Sequence, residues 1–329
     1  MDWKRLILER TQATGVQRGE SIQSLWSGFG EIFRVHLQPA SMGTLIVKHI
    51  APFKAGAHPR GWGTDRSTQR KLRSYEVEIC WYSDWGATLN DVDECRIPKC
   101  FGAAAHGDER WILLEDLDAV GYGERRGRLD VQTAIPCIRW LANFHGAFLG
   151  KSPEGLWPVG TYWHLDTRPD EYAVMGEGPL KEAARKLDAM LSECEFQTFV
   201  HGDAKVANFC FSDSCNEVAA VDFQYVGGGC GMKDVAYFLG SCFDPSQCEQ
   251  WVPQLLNEYF VHLRNAVSGK TIAGKEVDAD RLESQWRTLF APAWTDFHRF
   301  LMGWMPGHHK NHEYTQQLTR ETLLWLANK

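Results

Sequence analysis

Three polar side chains in the middle of the chain have the types and the spacing of a phosphoryl-transfer site. The sequence reads His201-Gly202-Asp203-Ala204-Lys205-Val206-Ala207-Asn208, and Asp222 follows Asn208 fourteen positions later. A carboxylate such as Asp203 can accept the proton of a hydroxyl group, and Asn208 with Asp222 can hold Mg²⁺ against the phosphates of ATP. The pattern therefore predicts phosphoryl transfer with ATP and Mg²⁺ as cofactors.

The interval between Asn208 and Asp222 has the length of a β-hairpin. Residues 209–211 and 217–221 are apolar enough to form its strands, and the polar run 212–216 fits the turn. Such a hairpin brings Asn208 and Asp222 side by side at neighbouring strand ends, where both can bind one metal ion. A surface turn also favours Gly, Asp and Asn, but that alternative does not account for the second carboxylate.

A lysine inside an apolar strand is a candidate contact for the donor phosphates. Lys48 lies in the strand-like run 44–50, and strand alternation allows it either to face solvent or to point into a site. In the second case a carboxylate must position its ammonium group. The predicted helix 70–86 offers Glu76 and Glu78 on different faces, and helical periodicity alone does not choose between them.

Two further segments are candidates for nucleotide contacts. Gly28 and Gly30 lie between two strands, where backbone N–H groups can cover phosphates. A plain hairpin with glycines at positive φ explains the same pair equally well. The strand that ends in Glu115-Asp116-Leu117 can offer backbone groups to an adenine edge if it joins two lobes, and the alternative is an ordinary strand end. We therefore predict nucleotide contacts at Gly28, Gly30, Glu115 and Leu117.

The elements around these residues predict an α+β protein of two lobes. About five antiparallel strands and one main helix precede residue 116, and residues 54–69, rich in Gly and Pro, are predicted to form a loop. After residue 116 the apolar spacing becomes helical, so we divide the chain into an N-lobe, residues 1–116, and a C-lobe, residues 117–329. The predicted C-lobe helices are 135–149, starting close to Pro136, and 180–191, 234–241, 247–267, 282–304 and 315–327.

These motifs resemble the aminoglycoside phosphotransferase and choline kinase superfamily. His201 to Asn208 match its H-G-D-x-x-x-x-N catalytic loop without a gap, and Asp222 and Asp234 match its two later aspartates. The segment Leu141-Ala142-Asn143-Phe144-His145 is similar to its L-A-x-x-H helix. Within the superfamily, Ser74-Tyr75-x-x-Glu78-x-x-Trp81-Tyr82 looks most like the ecdysteroid-kinase-like branch.

The resemblance implies a bilobal protein-kinase-like fold, with a small five-stranded antiparallel N-lobe, one main N-lobe helix and a larger, mostly helical C-lobe. It also implies that Lys48 and Glu78 form an ion pair, that Asp203 is the catalytic base, and that Asn208 and Asp222 are the Mg²⁺ ligands. The glycine-rich segment departs from the family's full G-x-G-x-x-G pattern, because its last position is not glycine. That departure leaves open how the phosphates are covered.

The acceptor is predicted to be a small molecule. A protein kinase needs a long activation segment, whereas only eleven residues separate Asp222 from Asp234 and no A-P-E follows. In the helix 282–304, an aromatic box of Trp294 and Trp304 with Asp296 nearby would suit a cationic acceptor such as an amino alcohol.

The same helical spacing is typical of a core stripe, which is the more common origin of such a pattern. Other residues are alternative pocket candidates. Arg299 and the segment 308–310 can contact phosphate or an anionic substrate group, and His164 and Asp166 are further candidates for the lining.

Composition and charge restrict the partners. The 329 residues are 44% hydrophobic and carry a formal net charge of −7, which is ordinary for a soluble globular protein and does not favour a nucleic-acid partner. No apolar run is long enough to span a bilayer, and the Leu6-Ile7-Leu8 stretch is too short for a signal peptide. We therefore expect a cytoplasmic monomer or homodimer without nucleic-acid or membrane contacts.

The function predicted from the sequence is ATP- and Mg²⁺-dependent phosphorylation of a hydroxyl group on a small molecule. One alternative is a nucleotide-binding pseudokinase that regulates a partner. The other is an aminoglycoside-type antibiotic kinase, whose polycationic acceptor predicts an acidic pocket.

Overall fold

The computed structural model describes residues 3–25, 28–51, 65–90, 92 and 94–328. The N-terminal strands are β1 (Gly15–Ser24), β2 (Gly30–Gln38), β3 (Thr44–Ile50), β4 (Cys100–His106) and β5 (Glu109–Glu115). They form one antiparallel sheet in the order β1-β2-β3-β5-β4, and most of the chain after β5 is helical. The predicted α+β class with a five-stranded N-lobe is confirmed, while the boundary between residues 116 and 117 stays a prediction.

Residue alternation gives this sheet two different faces. One face packs Phe33, Val35 and Val47 beneath α1 (Trp3–Arg10) in a small apolar cluster. The opposite face carries Ile46 and Lys48 toward a deep cavity. Lys48 pairs in register with residues of β2 and β5 on either side and is only 4% exposed, so the interpretation that it faces solvent is wrong.

The main N-lobe helix, α2 (Asp65–Cys80), begins earlier than predicted and continues into a π-helical turn, Trp81–Trp85. The predicted loop over 54–69 is therefore wrong for residues 65–69, which contain no Gly or Pro to interrupt a helix. Residues 54–64 lie outside the described residues. Trp81 is fully buried and stacks on Phe223 with ring centroids 4.5 Å apart, so the end of the helix is fixed against the C-lobe.

The C-lobe is built around two long helices. Its helices are α3 (Val131–Phe148), α4 (Pro169–Val174), α5 (Pro179–Glu182), α6 (Ala184–Ser192), α7 (Met232–Cys242), α8 (Pro245–Val267), α9 (Ala279–Trp304) and α10 (Glu313–Ala327). Helix α3 packs against α8, and α9 packs against α6, α7 and α10. The predicted helices are confirmed with shifted ends, although 180–191 is divided into α5 and α6, and α4 was not predicted.

The start of α3 corrects the sequence prediction. The helix begins at Val131, because the carboxylate of Asp130 caps it by accepting a hydrogen bond from the backbone N–H of Thr133 at 2.8 Å. Pro136 therefore lies in the second turn, where it removes one helical N–H donor, and does not mark the first turn.

Short strands frame the region that carries the predicted chemistry. They are β6 (Thr198–Val200), β7 (Phe209–Phe211), β8 (Val218–Ala220) and β9 (Gly227–Gly229), and a small hairpin of β10 (Thr271–Ile272) and β11 (Lys275–Glu276) was not predicted. Strand β7 pairs with β8, which confirms the predicted hairpin, and β6 pairs with β9. No helix of the described residues has both the length and the apolar character that a bilayer span requires.

Candidate active site

The loop after β6 is held rigidly by a buried carboxylate from α7. Asp234 is fully buried and accepts hydrogen bonds from the backbone N–H groups of His201 and Gly202, the latter at 2.9 Å. Gly202 has φ of +80°, and a Cβ atom there would lie 2.1 Å from the carbonyl oxygen of Tyr225. Only glycine fits this position, because any Cβ atom would overlap the carbonyl group of Tyr225.

The His201 ring joins this loop to the strand that leads to Asp222. Its Nε2 lies 3.0 Å from the carbonyl oxygen of Val221, and its Nδ1 accepts a hydrogen bond from the backbone N–H of Asp203 at 3.3 Å. The ring is fully buried. His201 therefore acts as a spacer that fixes Asp203 relative to the segment carrying Asp222.

Asp203 is a buried carboxylate with partners on both oxygens. It is 8% exposed and accepts three side-chain hydrogen bonds. Lys205 donates to Oδ2 at 2.7 Å, the amide nitrogen of Asn208 donates to Oδ2 at 3.2 Å, and Tyr237 donates to Oδ1 at 3.1 Å. These contacts hold both oxygens of the carboxylate in place. Lys205 and Tyr237 were not predicted as site residues.

Asn208 and Asp222 flank the open end of the β7–β8 hairpin. The backbone N–H of Val221 donates to the carbonyl oxygen of Asn208 at 3.0 Å, so Asp222 follows directly after the residue opposite Asn208. The amide nitrogen of Asn208 donates hydrogen bonds to Asp203. The amide oxygen of Asn208 is therefore the atom available to bind a metal ion. The structure therefore brings the two predicted metal ligands to one place.

The donor atoms at this point fit Mg²⁺. Burial alone would raise the pKa of Asp222, but the ammonium groups of Lys48, Lys71 and Lys205 outweigh that effect and lower the pKa to about 2. The side chain stays 35% exposed and is an anionic oxygen ligand at neutral pH. One carboxylate with one amide oxygen, completed by substrate phosphates, is a set that Mg²⁺ accepts.

Lys48 forms a buried ion pair with Glu78. Its ammonium nitrogen lies 2.6 Å from Oε2 of Glu78 and 3.5 Å from Oδ1 of Asp222. Burial would lower the pKa of Lys48, but the attraction of Glu78 and Asp222 raises it above its ordinary value. Glu76 is exposed and pairs with Arg73 at 3.4 Å. The structure thus decides between the two glutamates in favour of Glu78.

A second lysine near the site, Lys71 on α2, was not predicted from the sequence. Lys71 donates to the side-chain oxygen of Gln224 at 2.6 Å, and its ammonium group lies 4.8 Å from the ring centroid of Tyr75. Burial lowers the pKa of Lys71 to about 8. The residue lies seven positions before Glu78, which is two helical turns, and this spacing was the signal that could have found it.

The segment between the lobes contacts the same cavity. Glu115 and Leu117 both line it. The Glu115 carboxylate pairs with Arg96 and also accepts a hydrogen bond from the backbone N–H of Lys99 at 3.0 Å. Leu117 is 5% exposed and begins a short 3-10 turn, Leu117–Val120.

Gly28 and Gly30 do not line the cavity in the part of the chain that the structure describes, where Gln23, Leu25 and Ile32 lie instead. Gly30 has φ of +129°, and a Cβ atom there would lie 2.0 Å from the carbonyl oxygen of His49. Gly28 has φ of +75° and nothing within 4 Å of its Cβ position. Gly30 is thus explained by the sheet itself. The backbone N–H of Gly28 donates to the carbonyl oxygen of Leu25 at 3.1 Å, and only the space at its Cβ position is open.

The cavity between the lobes has a volume of about 800 Å³ and collects most of the predicted residues. Within it lie Lys48, Glu78, Glu115, Leu117, Asp203, Asn208, Asp222, Trp304, His308, His309 and Lys310, together with the unpredicted Arg70, Lys71, Arg168, Lys205 and Tyr237. This volume is typical of a pocket for a small-molecule ligand or cofactor.

Trp294 and Asp296 lie outside this lining, which corrects the predicted aromatic box. Trp294 is 3% exposed and donates its indole N–H to Thr315 at 3.0 Å, within the contact between α9 and α10. Asp296 is fully buried and pairs with Arg299 at 2.9 Å. The two residues belong to the core stripe that the helical spacing also allowed, because α9 is surrounded by other helices there.

Three other pocket candidates also point elsewhere. Arg299 donates to the carbonyl oxygen of Trp163 at 2.9 Å in addition to its pair with Asp296. His164 lies 3.1 Å from Asp188, and Asp166 pairs with Arg185 at 3.0 Å.

Residues 179–269 match the model of the ecdysteroid kinase-like family, and this segment includes Asp203, Asn208, Asp222 and Asp234. No curated protein sequence matches the chain. Among solved structures, an amicoumacin kinase in complex with AMP-PNP and Ca²⁺ is similar with a TM-score of 0.54 and 12% identity, over 97% of this chain and 93% of that one.

A choline kinase from Cryptosporidium parvum is similar with a TM-score of 0.53 and 10% identity, over 95% of this chain and 89% of that one. The chain has the fold of the aminoglycoside phosphotransferase and choline kinase superfamily. A macrolide 2'-phosphotransferase from Brachybacterium faecium, with a TM-score of 0.50, 12% identity and 94% coverage of both chains, has the same fold. The resemblance inferred from the motifs is confirmed, and at these identities the likeness to the solved structures concerns the fold.

Proposed function

We propose that this protein transfers the γ-phosphoryl group of ATP to a hydroxyl group of a small molecule, with Mg²⁺ as the metal. The observation that supports this most strongly is the convergence of Asp203, Asn208, Asp222 and the Lys48–Glu78 pair on one cavity. Each charged position that phosphoryl transfer uses is filled, and each side chain is held by at least one further contact.

In the proposed reaction, Asp203 accepts the proton of the acceptor hydroxyl. The acceptor oxygen forms a bond to the γ-phosphorus while the bond from that phosphorus to the β–γ bridging oxygen breaks, and ADP leaves with the bonding electrons. Lys48, positioned by Glu78, contacts the donor phosphates, and Lys71 and Lys205 add positive charge around the transferred group. Mg²⁺ on Asn208 and Asp222 would supply further charge neutralisation. Most of the catalytic effect then comes from positioning and preorganised charge.

A small acceptor is supported by the structure of the segment after Asp222. Residues of this segment form β9 and pair with β6, so they offer no extended platform for a peptide. The names of the similar structures denote kinases of amicoumacin, choline and macrolides, and the proposal extends an acceptor of that size to this chain.

The decisive test is Asp203→Asn in an ADP-release assay with MgATP and a panel of alcohols. Loss of the base lowers the acceptor-dependent rate by about a hundredfold or more, while calorimetry shows that MgATP still binds. The matched control is Asp213→Asn, the same substitution at an exposed turn residue, which leaves the rate unchanged. An unchanged rate in Asp203→Asn contradicts the assignment, and MgATP binding without turnover on any acceptor identifies the pseudokinase alternative.

A further inference from the structure

One wall of the cavity, beside Asp203, combines aromatic rings with a single lysine. We call it the acceptor wall, formed by Tyr162, Tyr237, Phe297, Phe300, Trp304 and Lys310, all of which line the cavity. Tyr237 places this wall next to the proposed base, because its hydroxyl donates to Oδ1 of Asp203 at 3.1 Å. The wall is on the C-lobe side, whereas Glu115 and Leu117 lie at the segment joining the lobes.

Lys310 is the unusual member of the wall. Its ammonium nitrogen lies 4.3 Å from the ring centroid of Tyr237 and 5.4 Å from that of Phe297. It forms no ion pair with any carboxylate of the described residues. Burial lowers the pKa of Lys310 to about 8, although the attraction of Asp203 acts in the opposite direction. A partly desolvated ammonium group without a carboxylate partner is costly unless an anion joins it.

The carboxylates of the cavity are already paired within the protein. The pairs are Glu78 and Asp222 with Lys48, Glu115 with Arg96, Asp116 with Arg34, Asp118 with Arg34 and Arg125, and Asp203 with Lys205. In contrast, Arg70, Lys71 and Lys310 line the cavity and make no ion pair within the described chain. The six carboxylates share five cations, which leaves one negative charge, whereas three cations have no carboxylate partner in the described chain, so the balance is positive.

Lys71 and Lys310 lie at different ends of the cavity, as their neighbouring residues show. Lys71 binds Gln224, whose amide nitrogen donates to Asp222 at 2.7 Å, so it belongs to the metal and phosphate end. Lys310 lies over Tyr237 and Phe297 on the acceptor wall. It also occupies the aromatic face that a cationic acceptor would need, because a cation binds the ring by the same attraction.

We propose that the acceptor is an anionic hydroxy compound with an aromatic or alicyclic body, of the hydroxycarboxylate class. Its ring packs on the acceptor wall, its carboxylate pairs with Lys310, and its hydroxyl faces Asp203. This inference rests on the proposed phosphotransferase function. It replaces the cationic amino alcohol considered from the sequence, and it disfavours a polycationic antibiotic, since both would meet unmatched positive charge.

The test uses three probes of similar size and different charge: para-(hydroxymethyl)benzoate, its amide and the corresponding benzylamine. Each is titrated calorimetrically into protein already saturated with AMP-PNP and Mg²⁺, so that the donor phosphates occupy their own site. The benzoate binds about tenfold more tightly than the amide, as expected for one charge-assisted contact, and the amine binds most weakly.

Three variants assign the preference to Lys310. Lys310→Met lowers benzoate affinity to that of the amide and leaves AMP-PNP affinity unchanged, Lys310→Arg retains the preference for benzoate, and the exposed control Lys151→Met changes nothing. The proposal is overturned if the benzoate shows no preference or no binding, or if Lys310→Met leaves the preference intact. It is also overturned if Lys310→Met weakens AMP-PNP instead, since Lys310 would then serve the donor phosphates.

Failure of this inference is distinguishable from failure of the proposed function. The order of probe affinities is a binding result and does not require turnover. Phosphorylated product is measured separately with MgATP, and its absence with a benzoate preference would reject the reaction while retaining the anion site.

Discussion

The hydroxyl group of Tyr237 donates a hydrogen bond to Oδ1 of Asp203 at 3.1 Å, while Lys205 and Asn208 hold the other oxygen. Tyr237 thus orients the proposed base from α7 and also supports Lys310 with its ring. Tyr237 therefore contacts both the proposed catalytic base, Asp203, and the proposed acceptor-binding residue, Lys310.

Tyr237→Phe removes the hydroxyl and keeps the ring. We expect kcat to fall by about tenfold to a hundredfold, because a hydrogen bond to a charged group contributes about 1.5–3 kcal/mol, while the KM for ATP stays constant. Steady-state kinetics with a productive acceptor measures both values. Tyr122→Phe is the matched control, because its hydroxyl donates to Glu217 at 3.1 Å and the residue does not line the cavity. A kcat of Tyr237→Phe equal to that of the control contradicts the orienting role.

The Lys48–Glu78 pair makes a prediction about stability that is separate from activity. Lys48→Met leaves the Glu78 carboxylate buried, at 1% exposure, without its cation. Breaking a buried pair in this way costs about 3–5 kcal/mol of unfolding free energy. The double variant Lys48→Met with Glu78→Gln removes both charges and regains a large part of that loss, but not the activity. Urea unfolding checks this, and equal stabilities of the single and double variants would falsify it.

The pKa of Lys71 predicts how activity depends on pH. This pKa is lowered to about 8 by burial, with Asp222, Lys48, Glu78 and Asp203 as the charged groups that face it. The charge on Lys71 is therefore lost as pH rises through about 8, and kcat/KM for ATP declines with it. Lys71→Arg moves this alkaline limb to higher pH, because arginine keeps its charge there. If the alkaline limb of kcat/KM is at the same pH in Lys71→Arg as in wild type, the titrating group is not Lys71.

The titration of Lys71 does not destabilise the fold at alkaline pH, so unfolding caused by Lys71 does not explain the decline in kcat/KM. Its ordinary pKa of 10.5 applies to the unfolded chain, so the unfolded state binds more protons between about pH 8 and 10.5. The contribution of Lys71 to the free energy of unfolding therefore rises with pH across this window. Thermal unfolding of wild type and Lys71→Arg over the same pH range separates the two effects.

Gly28 and Gly30 form a matched pair for a test of the phosphate-covering hypothesis. Gly30→Ala places a Cβ atom 2.0 Å from the carbonyl oxygen of His49, so it destabilises the fold by more than about 2 kcal/mol. Gly28→Ala meets no atom within 4 Å and costs about 1–2 kcal/mol through its positive φ alone. If the Gly28 backbone covers phosphates, Gly28→Ala raises the KM for ATP. An unchanged KM removes Gly28 from the nucleotide contacts.

The residues brought together around Asp203 could be predicted because most of them are close in sequence. The hairpin 209–220 joins Asn208 to Asp222 locally, and its alternating apolar strands and polar turn are visible in the sequence. Lys48 and Glu78 were harder to assign, because two faces of α2 carried glutamates. The tertiary contact with β3 decides between them.

The acceptor wall could be predicted only in part. Trp304 and the segment 308–310 are candidates from the sequence, but a helix that lines a pocket and a helix that lines a core have the same apolar spacing. Trp294 and Trp304 both lie on α9, but α10 covers the first and the cavity adjoins the second. Lys310 comes from the segment between these helices, and only the folded chain brings it over Tyr237. The sequence made Lys310 a candidate for contact with an anionic group, but it gave no signal for the contact with Tyr237.

The pairing of β6 with β9 ties down the segment between Asp222 and Asp234. The only hydroxyl side chain in that segment is Tyr225, and the Tyr225 carbonyl oxygen accepts a hydrogen bond from the backbone N–H of Thr161 at 3.2 Å. A phosphotransferase built in this way has no serine or threonine there for another kinase to modify, and no segment to release.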